Sequence, residues 1–529
     1  MMDALAQQAA LIARIARRLE AGGSRVVRFD THVSTVLVAG KHAFKFKKAL
    51  RLPFLDDTTL AARRFHCDEE CRLNRRLAPG LYIDVVPVTG DAAHPVLGGA
   101  GAAIEYAVRM HAFDQHALWG FRIAQGLLDG AEVDQLAQLL ARFHLDAARA
   151  PADSRWGART LTAATFAGTL AELSVSPAGA AVAGLAALRH WEAAERARLD
   201  DQFGGRKAQG MIRECHGDLH CDNILTLDGR VQAFDGIEFS DALRWIDVMD
   251  DLAFLCMDLA RRSRPDLAAR LLNRYLEDTG DYGGLAVLPY YRVHRALVRG
   301  KVMLLRAAQQ DVPASERARC EAEGLHYLAF GIRSARRGHA AIMLTHGCAG
   351  SGKTTFCRLA VGILGAIQVR SDVERKRLPA GRAPAGDPAA CATALYGETA
   401  TRRTYEKLRS LAAEIVAAGW PVIVDAACLK AAQRTALQAL AADMDVPFLV
   451  FDIRASRTTM RERIRARRRE GLDASDADLA VLDSQIAADE PLGPAELEHA
   501  IVVDTGIGLD VARVRRICAP VLDILDAQA

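Results

Sequence analysis

An α+β region followed by an α/β domain with a parallel sheet is the fold class this sequence predicts, and three observations predict it. Residues 33–47, VSTVLVAGKHAFKFK, run apolar and then alternate on either side of Gly40-Lys41. That is the pattern of a β-hairpin, and a helical stretch and more strands follow it. From about 111 to 335 the pattern is mostly helical. Beyond 339, short apolar runs (AAIMLT, PVIVDAA, PFLVFDI) alternate with helical ones, as strands buried on both faces of a parallel sheet do.

The bulk properties bound the rest. A chain of 529 residues is too long for one hydrophobic core. Half its residues are apolar and a quarter charged, which is ordinary for a globular protein. A net charge of +3 makes a dedicated nucleic-acid binder unlikely, since phosphate-backbone affinity comes from clustered Lys and Arg. The eleven cysteines are odd in number and scattered, and no second pair joins Cys67 and Cys71 to make a zinc site. They read as reduced thiols of a cytoplasmic protein. The opening MMDALAQQAALIARIARRLE is no signal peptide, because Asp3, Arg14, Arg17 and Arg18 interrupt it. It reads as an amphipathic helix, and no run approaches the roughly 18 apolar residues of a membrane span. No obligate protein partner can be inferred.

In chain order, residues 1–110 form a small α+β lobe that includes the N-terminal helix. Within it 58–78 is helical, ended by Pro79-Gly80, and 81–88 and 102–110 are strands. Residues 111–330 are helical except for short strands and tight turns in 211–239. GIRSARRGH (331–339) is a polar linker, and 340–529 is the α/β domain.

That last domain opens on a phosphate-binding signature. Gly347-Cys348-Ala349-Gly350-Ser351-Gly352-Lys353-Thr354-Thr355 fits G-x-x-x-x-G-K-[ST], with a strand before it and a helix after. Glycines let backbone N–H groups wrap phosphates, and the helix N-terminus faces them. Lys353 would reach the β- and γ-phosphates of ATP, and the Thr354 hydroxyl would ligand Mg²⁺. Asp425 ends the strand PVIVDAA, where a carboxylate holds Mg²⁺; the plainer reading is a strand-end Asp capping a turn. IQVRSDVERKR (367–377) sets Ser371, Asp372 and Arg375 after another strand. This half resembles small P-loop kinases of the gluconate-kinase and polynucleotide-kinase kind. The resemblance implies that Asp372 takes a proton from an acceptor hydroxyl and that Arg375 holds its anionic group. RERIRARRRE (461–470) resembles the lid of such kinases, whose arginines (Arg461 and Arg465 here) close on the phosphoryl group. A solvated basic helix face reads as well.

The central stretch HGDLHCDNIL (216–225) sets Asp218 and Asn223 five residues apart. That is the D-x-x-x-x-N spacing in which an Asp accepts a hydroxyl proton and an Asn holds Mg²⁺. Further on, VQAFDGIEF places Asp235 after a strand and before Gly236, the place of a second Mg²⁺ ligand. HGDLHCDNI resembles the H-G-D-x-H-x-x-N-[IL] signature of the aminoglycoside phosphotransferase and choline kinase superfamily, and Asp251-Leu252-Ala253 resembles its D-[IL]-A helix. FDTHVS, AFKFKK, CRLNRRLAPGLY and EYAVRM extend the likeness to a family of bacterial proteins that fuse such a domain to a P-loop domain of the AAA or gluconate-kinase type.

The resemblance implies a bilobal protein-kinase-like fold over 1–330, with a P-loop domain after it. Lys45 would contact the α- and β-phosphates, with Lys47 its competitor on the same strand face. Glu70 or Glu69 would be its partner carboxylate, and spacing does not separate them. Glu105 to Met110 would be the hinge whose backbone binds adenine. His216 and His220 would brace the loop rather than bind zinc. The expected function is transfer of the ATP γ-phosphoryl to a hydroxyl of a small molecule, with a second P-loop kinase or ATPase activity. The alternative is a nucleotide-sensing regulatory or toxin-like protein. Glu238, Asp241, Asp247, Asp250 and Asp251 read equally as an acidic wall for a cationic acceptor and as salt-bridge partners of arginines such as Arg244.

Overall fold

The computed structural model describes residues 4–52, 55–309, 312–336, 338–378, 397–470 and 478–527. Asp3 and position 337 of the expected linker lie outside them. The chain forms two compact units, one of residues 1–262 and 290–335, the other of 263–289 and 336–529. This differs from the expected boundaries. The linker's first four residues complete a helix that ends at Ser334, and Ser263–Pro289 belongs to the P-loop unit.

In the first unit, α1 (Ala4–Ala21) packs on a mixed-length antiparallel sheet. The sheet comprises β1 (Val26–Asp30), β2 (Ser34–Ala39), β3 (His42–Lys47), β4 (Tyr82–Gly90), β5 (Pro95–Leu97) and β6 (Glu105–His111), in the order β1-β2-β3-β6-β4-β5. Leu11, Ile12 and Ile15 share one helical face and bury against Leu37, Phe44 and Phe46. The opposite face of the sheet takes α2 (Leu60–Asn74), through Cys67 and Cys71 against Ala43, Val108 and Met110. Thr59 starts α2 by accepting a hydrogen bond from the Ala62 amide. The period-2 alternation of HAFKFK therefore sends Phe44 and Phe46 toward α1, and Ala43 toward α2 with Lys45 and Lys47.

The remainder of this unit is helical, including α3 (Gly130–Asp146), α4 (Val248–Arg261), α6 (Leu288–Ala307) and α7 (Ala314–Ser334). Two small ribbons interrupt it: β7 (Ile212–Glu214) with β10 (Trp245–Asp247), and the hairpin β8 (Ile224–Leu227) and β9 (Arg230–Ala233). Asp228 and Gly229 both have positive φ, which makes the tight turn an Asp-Gly pair favours.

The second unit holds α5 (Pro265–Thr279), with Pro265 in its first turn and Gly280 closing it in the left-handed region. Its parallel sheet comprises β11 (Ile342–His346), β12 (Ile367–Arg370), β13 (Val422–Asp425), β14 (Phe448–Arg454) and β15 (Ala500–Asp504), in the order β12-β13-β11-β14-β15. Around it lie α8 (Lys353–Leu364), α9 (Ser371–Arg377), α10 (Glu398–Ala417), α11 (Ala431–Asp443), α12 (Arg457–Glu470), α13 (Leu479–Ala488) and α14 (Val511–Asp526). Met343, Phe356, Phe451, Val503 and Val514 form the core between the sheet, α8 and α14. Parallel order brings the C-terminal ends of β11, β12 and β13 to one edge of the sheet, where loops can build a site. No described helix is long and apolar enough to cross a membrane.

Candidate active sites

In the first unit, Lys45 from β3 donates to Glu70 of α2 at 2.8 Å and also pairs with Asp235. Lys47 bridges Glu70 and Glu238. Both lysines are buried, so each ammonium needs its carboxylates. Burial alone would lower the Lys45 pKa, yet Asp235 and Glu70 raise it well above the ordinary value. Glu70 is held low in spite of burial by the same two lysines. For Glu238, burial together with the neighbouring Glu70 outweighs Lys47 and raises the pKa. Glu69 faces outward and pairs with Arg72 at 2.8 Å.

The loop after β7 carries Asp218 and Asn223. The Asn223 amide nitrogen donates to the Asp218 carboxylate and to the Asp218 carbonyl, each at 3.0 Å. Those bonds use the amide nitrogen of Asn223 and leave its amide oxygen available as a ligand atom. Gly217 must be glycine: its φ is +85°, and a Cβ there would meet the Leu243 carbonyl at 2.7 Å. Burial pushes the Asp218 pKa up, but His220 at 3.4 Å and Arg299 pull it well below the usual carboxylate range. Asp235 stands at φ +61°, its amide bonded to the Tyr82 hydroxyl and the next amide, of Gly236, to Asn74. A non-glycine residue in the left-handed region is held there by such neighbours.

The histidines brace the loop. His216 Nε2 lies 2.9 Å from the Phe234 carbonyl, and burial lowers its pKa. His220 lies 3.2 Å from Arg299 and its Nδ1 accepts the Asp222 amide. Beneath them Asp251 accepts the His216 and Gly217 amides, and it lies 3.2 Å from His144 of α3. His144, Cys215 and Asp251 bring their donor atoms within 4.8 Å of one another. Asp251 already has these partners, and burial pushes the Cys215 thiol well up, so the trio is a hydrogen-bonded support for the loop. The ten cysteines among the described residues are all free and buried.

Two expectations change here. Glu105–His111 is a central strand in which Val108–Met110 pair with β3 on one side and β4 on the other, while Glu105–Ala107 pair with β4 alone, so the backbone of 108–110 is not free for adenine. The Glu105 carboxylate is buried against Arg63 and Gln8. The chain leaves the sheet only after His111. The five acidic residues are all matched. Glu238 pairs with Lys47, Asp241 with Arg244, Asp247 with Arg206, Asp250 with Arg295, and Asp251 as above.

In the second unit, the loop 347–352 joins β11 to α8. Gly347 has φ +144°, and a Cβ there would meet the Ile453 carbonyl at 2.5 Å, so the sharp exit from β11 needs glycine. Lys353 Nζ donates to the carbonyls of Gly347 and Cys348 at 2.8 Å each. Burial lowers its pKa, and nearby Asp425 offsets part of that. Thr354 donates to Asp425 at 2.9 Å, and Gln368 of β12 donates to the same carboxylate oxygen at 2.8 Å. Burial raises the Asp425 pKa against Lys353 and Arg370. Asp372 is gripped at both oxygens by Arg370, at 3.1 and 2.7 Å.

The arginine run of α12 sits otherwise than expected. Arg461 pairs with Asp483, and Arg465 is exposed. The arginine that reaches the loop is Arg463, which donates to the carbonyl and hydroxyl of Thr505 at 2.6 and 2.8 Å and approaches the Gly350 and Ser351 carbonyls at 3.4 Å. Met460 and Ile464 are the buried positions of α12, and 461 and 463 flank that stripe at equal angles, so periodicity sets Arg465 outside but does not choose between Arg461 and Arg463. Gln368, Arg370 and Thr505 carried no sequence signal. Their roles exist only once separate strands lie side by side.

Comparison with known proteins finds a family match in each half of the chain. Residues 52–288 match the family described as "Phosphotransferase enzyme family", and residues 342–492 match "AAA domain". Uncharacterized proteins of Mycobacterium tuberculosis and Mycobacterium bovis are 29% identical over 448 residues, which is 84% of this chain and 87% of theirs. Among solved structures, a choline/ethanolamine kinase family protein from Mesorhizobium loti is 14% identical, with 62% of this chain and 99% of that one covered and a TM-score of 0.37. A gluconokinase from Sinorhizobium meliloti is 18% identical, with 36% and 97% covered and a TM-score of 0.27. The chain thus joins a region that matches the phosphotransferase enzyme family, residues 52–288, to a region that matches the AAA domain, residues 342–492.

Proposed function

We propose that the first unit is an ATP- and Mg²⁺-dependent phosphotransferase acting on a hydroxyl of a small molecule, and that the P-loop unit is a second ATP-using kinase or ATPase. The observation that carries the first reading is the joint presence of the Lys45–Glu70–Asp235 chain and the Asp218–Asn223 contact. A nucleotide-binding module needs the first of these but has no use for an ionised Asp218 at the acceptor position.

The residues present fit the groups the reading requires. Asp235, Asn223, Thr354 and Asp425 offer only oxygen ligands, which suits a hard cation such as Mg²⁺. Mg·ATP, when bound, supplies the phosphoryl group and the neutralising charge. Lys45 orients the α- and β-phosphates, held at its height by Glu70. Asp218, kept ionised by His220 and Arg299, aligns the acceptor hydroxyl and takes its proton as the oxygen–phosphorus bond forms and the β–γ bridging bond breaks. Asn223 fixes the Asp218 carboxylate while its own amide oxygen faces the cation. In the P-loop unit Lys353, now on the loop carbonyls, would serve the phosphates, and Thr354 and Asp425 would hold the cation. Asp372 faces the acceptor, and Arg370 orients it.

The acidic residues near the catalytic loop do not select a cationic acceptor, since each already has its partner.

The test uses the full chain. Asp218→Ala should lower phosphotransfer by the first unit by about 10³-fold or more while leaving ATP binding there intact. The acceptor comes from an ATP-consumption screen over sugars, amino-sugars, nucleosides and protein hydroxyls. Lys353→Ala should cut ATP stoichiometry from two to one. Wild-type phosphotransfer in the Asp218 variant, or unchanged stoichiometry in the Lys353 variant, would refute the corresponding half of the reading.

A further inference from the structure

The P-loop unit includes a helix from far upstream in the sequence. On α5, Asn273 and Glu277 are four residues apart and so lie on one helical face. Both reach β12, the edge strand of the parallel sheet. The Asn273 side chain works in both directions: its Nδ2 donates to the Ala366 carbonyl at 3.0 Å, and its Oδ1 accepts the Gln368 amide at 2.6 Å. An edge strand otherwise presents such groups unpaired. Glu277 Oε1 accepts from Arg370 Nη1 at 3.1 Å, and Arg274 of the same helix approaches that oxygen at 3.5 Å.

The two residues of β12 so held are the two that touch the site. Gln368 and Arg370 point to the same side of the strand. Gln368 donates to Asp425, the carboxylate that also takes Thr354. Arg370, almost wholly buried, clasps Asp372 with its Nε and Nη2 and gives its remaining nitrogen to Glu277. One guanidinium charge is therefore shared between a carboxylate of the site and a carboxylate of α5.

We propose that Asn273 and Glu277 are positioning residues of the P-loop site, Asn273 acting on Asp425 through Gln368 and Glu277 acting on Asp372 through Arg370. The proposal rests on the reading of this unit as a phosphoryl-transfer site. Without the Glu277 charge, Arg370 loses one of its carboxylate partners and its hold on Asp372 tightens, which draws that carboxylate away from the acceptor. Binding of ATP itself, made by the loop and Lys353, should be little affected.

The experiment uses the full chain carrying Asp218→Ala, so that turnover reports the P-loop unit, with Mg·ATP as the probe and water as the acceptor. In that background Glu277→Gln should lower kcat by about tenfold with KM for ATP within about twofold, and Glu277→Asp, which keeps the charge, should restore most of it. Asn273→Ala should strip amide-exchange protection from Gln368 and lower kcat in the same direction. A kcat for Glu277→Gln equal to that of the parent would overturn the proposal. So would a fall in which KM and melting temperature change in step with kcat and Glu277→Asp gives no rescue, because α5 would then be only a cover for the sheet. Hydrolysis that survives Lys353→Ala in the same background would instead overturn the phosphoryl-transfer reading of the unit, and the proposal with it.

Discussion

Glu69 and Glu70 differ by one position on α2, and burial makes them different chemical objects. Glu70 is fully enclosed beside two enclosed lysines, while Glu69 pairs with a half-exposed Arg72. Removing one partner of a buried set leaves charge without compensation, which costs about 3 kcal/mol or more. An exposed pair contributes less than about 1 kcal/mol. Glu70→Gln should therefore lower unfolding stability by about 3 kcal/mol and suppress phosphotransfer, and Glu69→Gln should change neither measurably. Denaturant unfolding with activity measured on the same samples checks both, and equal effects of the two variants would contradict the geometry. At this scale the sequence was informative about type and silent about choice. Alternation in HAFKFK put Lys45 and Lys47 on one strand face, but nothing local says that both would reach one carboxylate. Asp218, Asn223 and Asp235 were legible because their chemistry depends on spacing within a short loop and one following strand. The partners of the acidic residues were not, because Arg206, Arg295 and Lys47 come from elsewhere in the chain.

Elements were legible where periodicity is strong, and misjudged where function depends on an element's edge. The hairpin over 33–47, the N-terminal helix and the P-loop strand and helix all stand where the pattern puts them. The EYAVRM stretch is a strand as expected, but pairing on both sides of Val108–Met110 consumes the backbone groups that a hinge would need there. Periodicity cannot show how many neighbours a strand will have. The basic helix α12 has the converse difficulty. Its charge density is obvious, but the buried Met460 and Ile464 leave Arg461 and Arg463 on either side of them, and only the partners brought by other elements single one out. Arg463 links this helix to the loop and to Thr505, which itself donates to the Ser351 carbonyl at 2.6 Å. Arg463→Ala should therefore weaken ATP binding at the P-loop site by about tenfold, the scale of one hydrogen bond to a charged group. Arg461→Ala should leave it within about twofold. Calorimetric titration of both variants with a non-hydrolysable ATP analogue decides the matter, and the reverse ranking would restore Arg461 to the site.

At the scale of the whole chain, sequence order and compactness part company. The phosphotransferase family match runs to residue 288, so by sequence α5 counts with the first domain, and the expected boundary at 340 followed that logic. Compactness assigns 263–289 to the P-loop unit, because an edge strand needs a cover and α5 provides it. Besides the contacts of Glu277 with Arg370, of Tyr282 with Glu374 and of Arg377 with the Leu276 and Glu277 carbonyls, three hydrogen bonds between neutral groups tie the segment to that unit, two through Asn273 and one from the Trp420 indole to the Leu285 carbonyl at 3.1 Å. At about 1 kcal/mol each they contribute about 3 kcal/mol before any apolar packing is counted. In a unit of this size, 1 kcal/mol shifts the melting temperature by about 2–4 °C. A fragment starting at residue 336 should thus melt about 6–12 °C below one in which 263–289 is joined to its N-terminus by a flexible linker, and it should aggregate more readily through the bared edge of β12. Thermal melts and light scattering on the two fragments make the comparison. Equal melting temperatures would place α5 outside the unit's stability and return the domain boundary to where the sequence alone had put it.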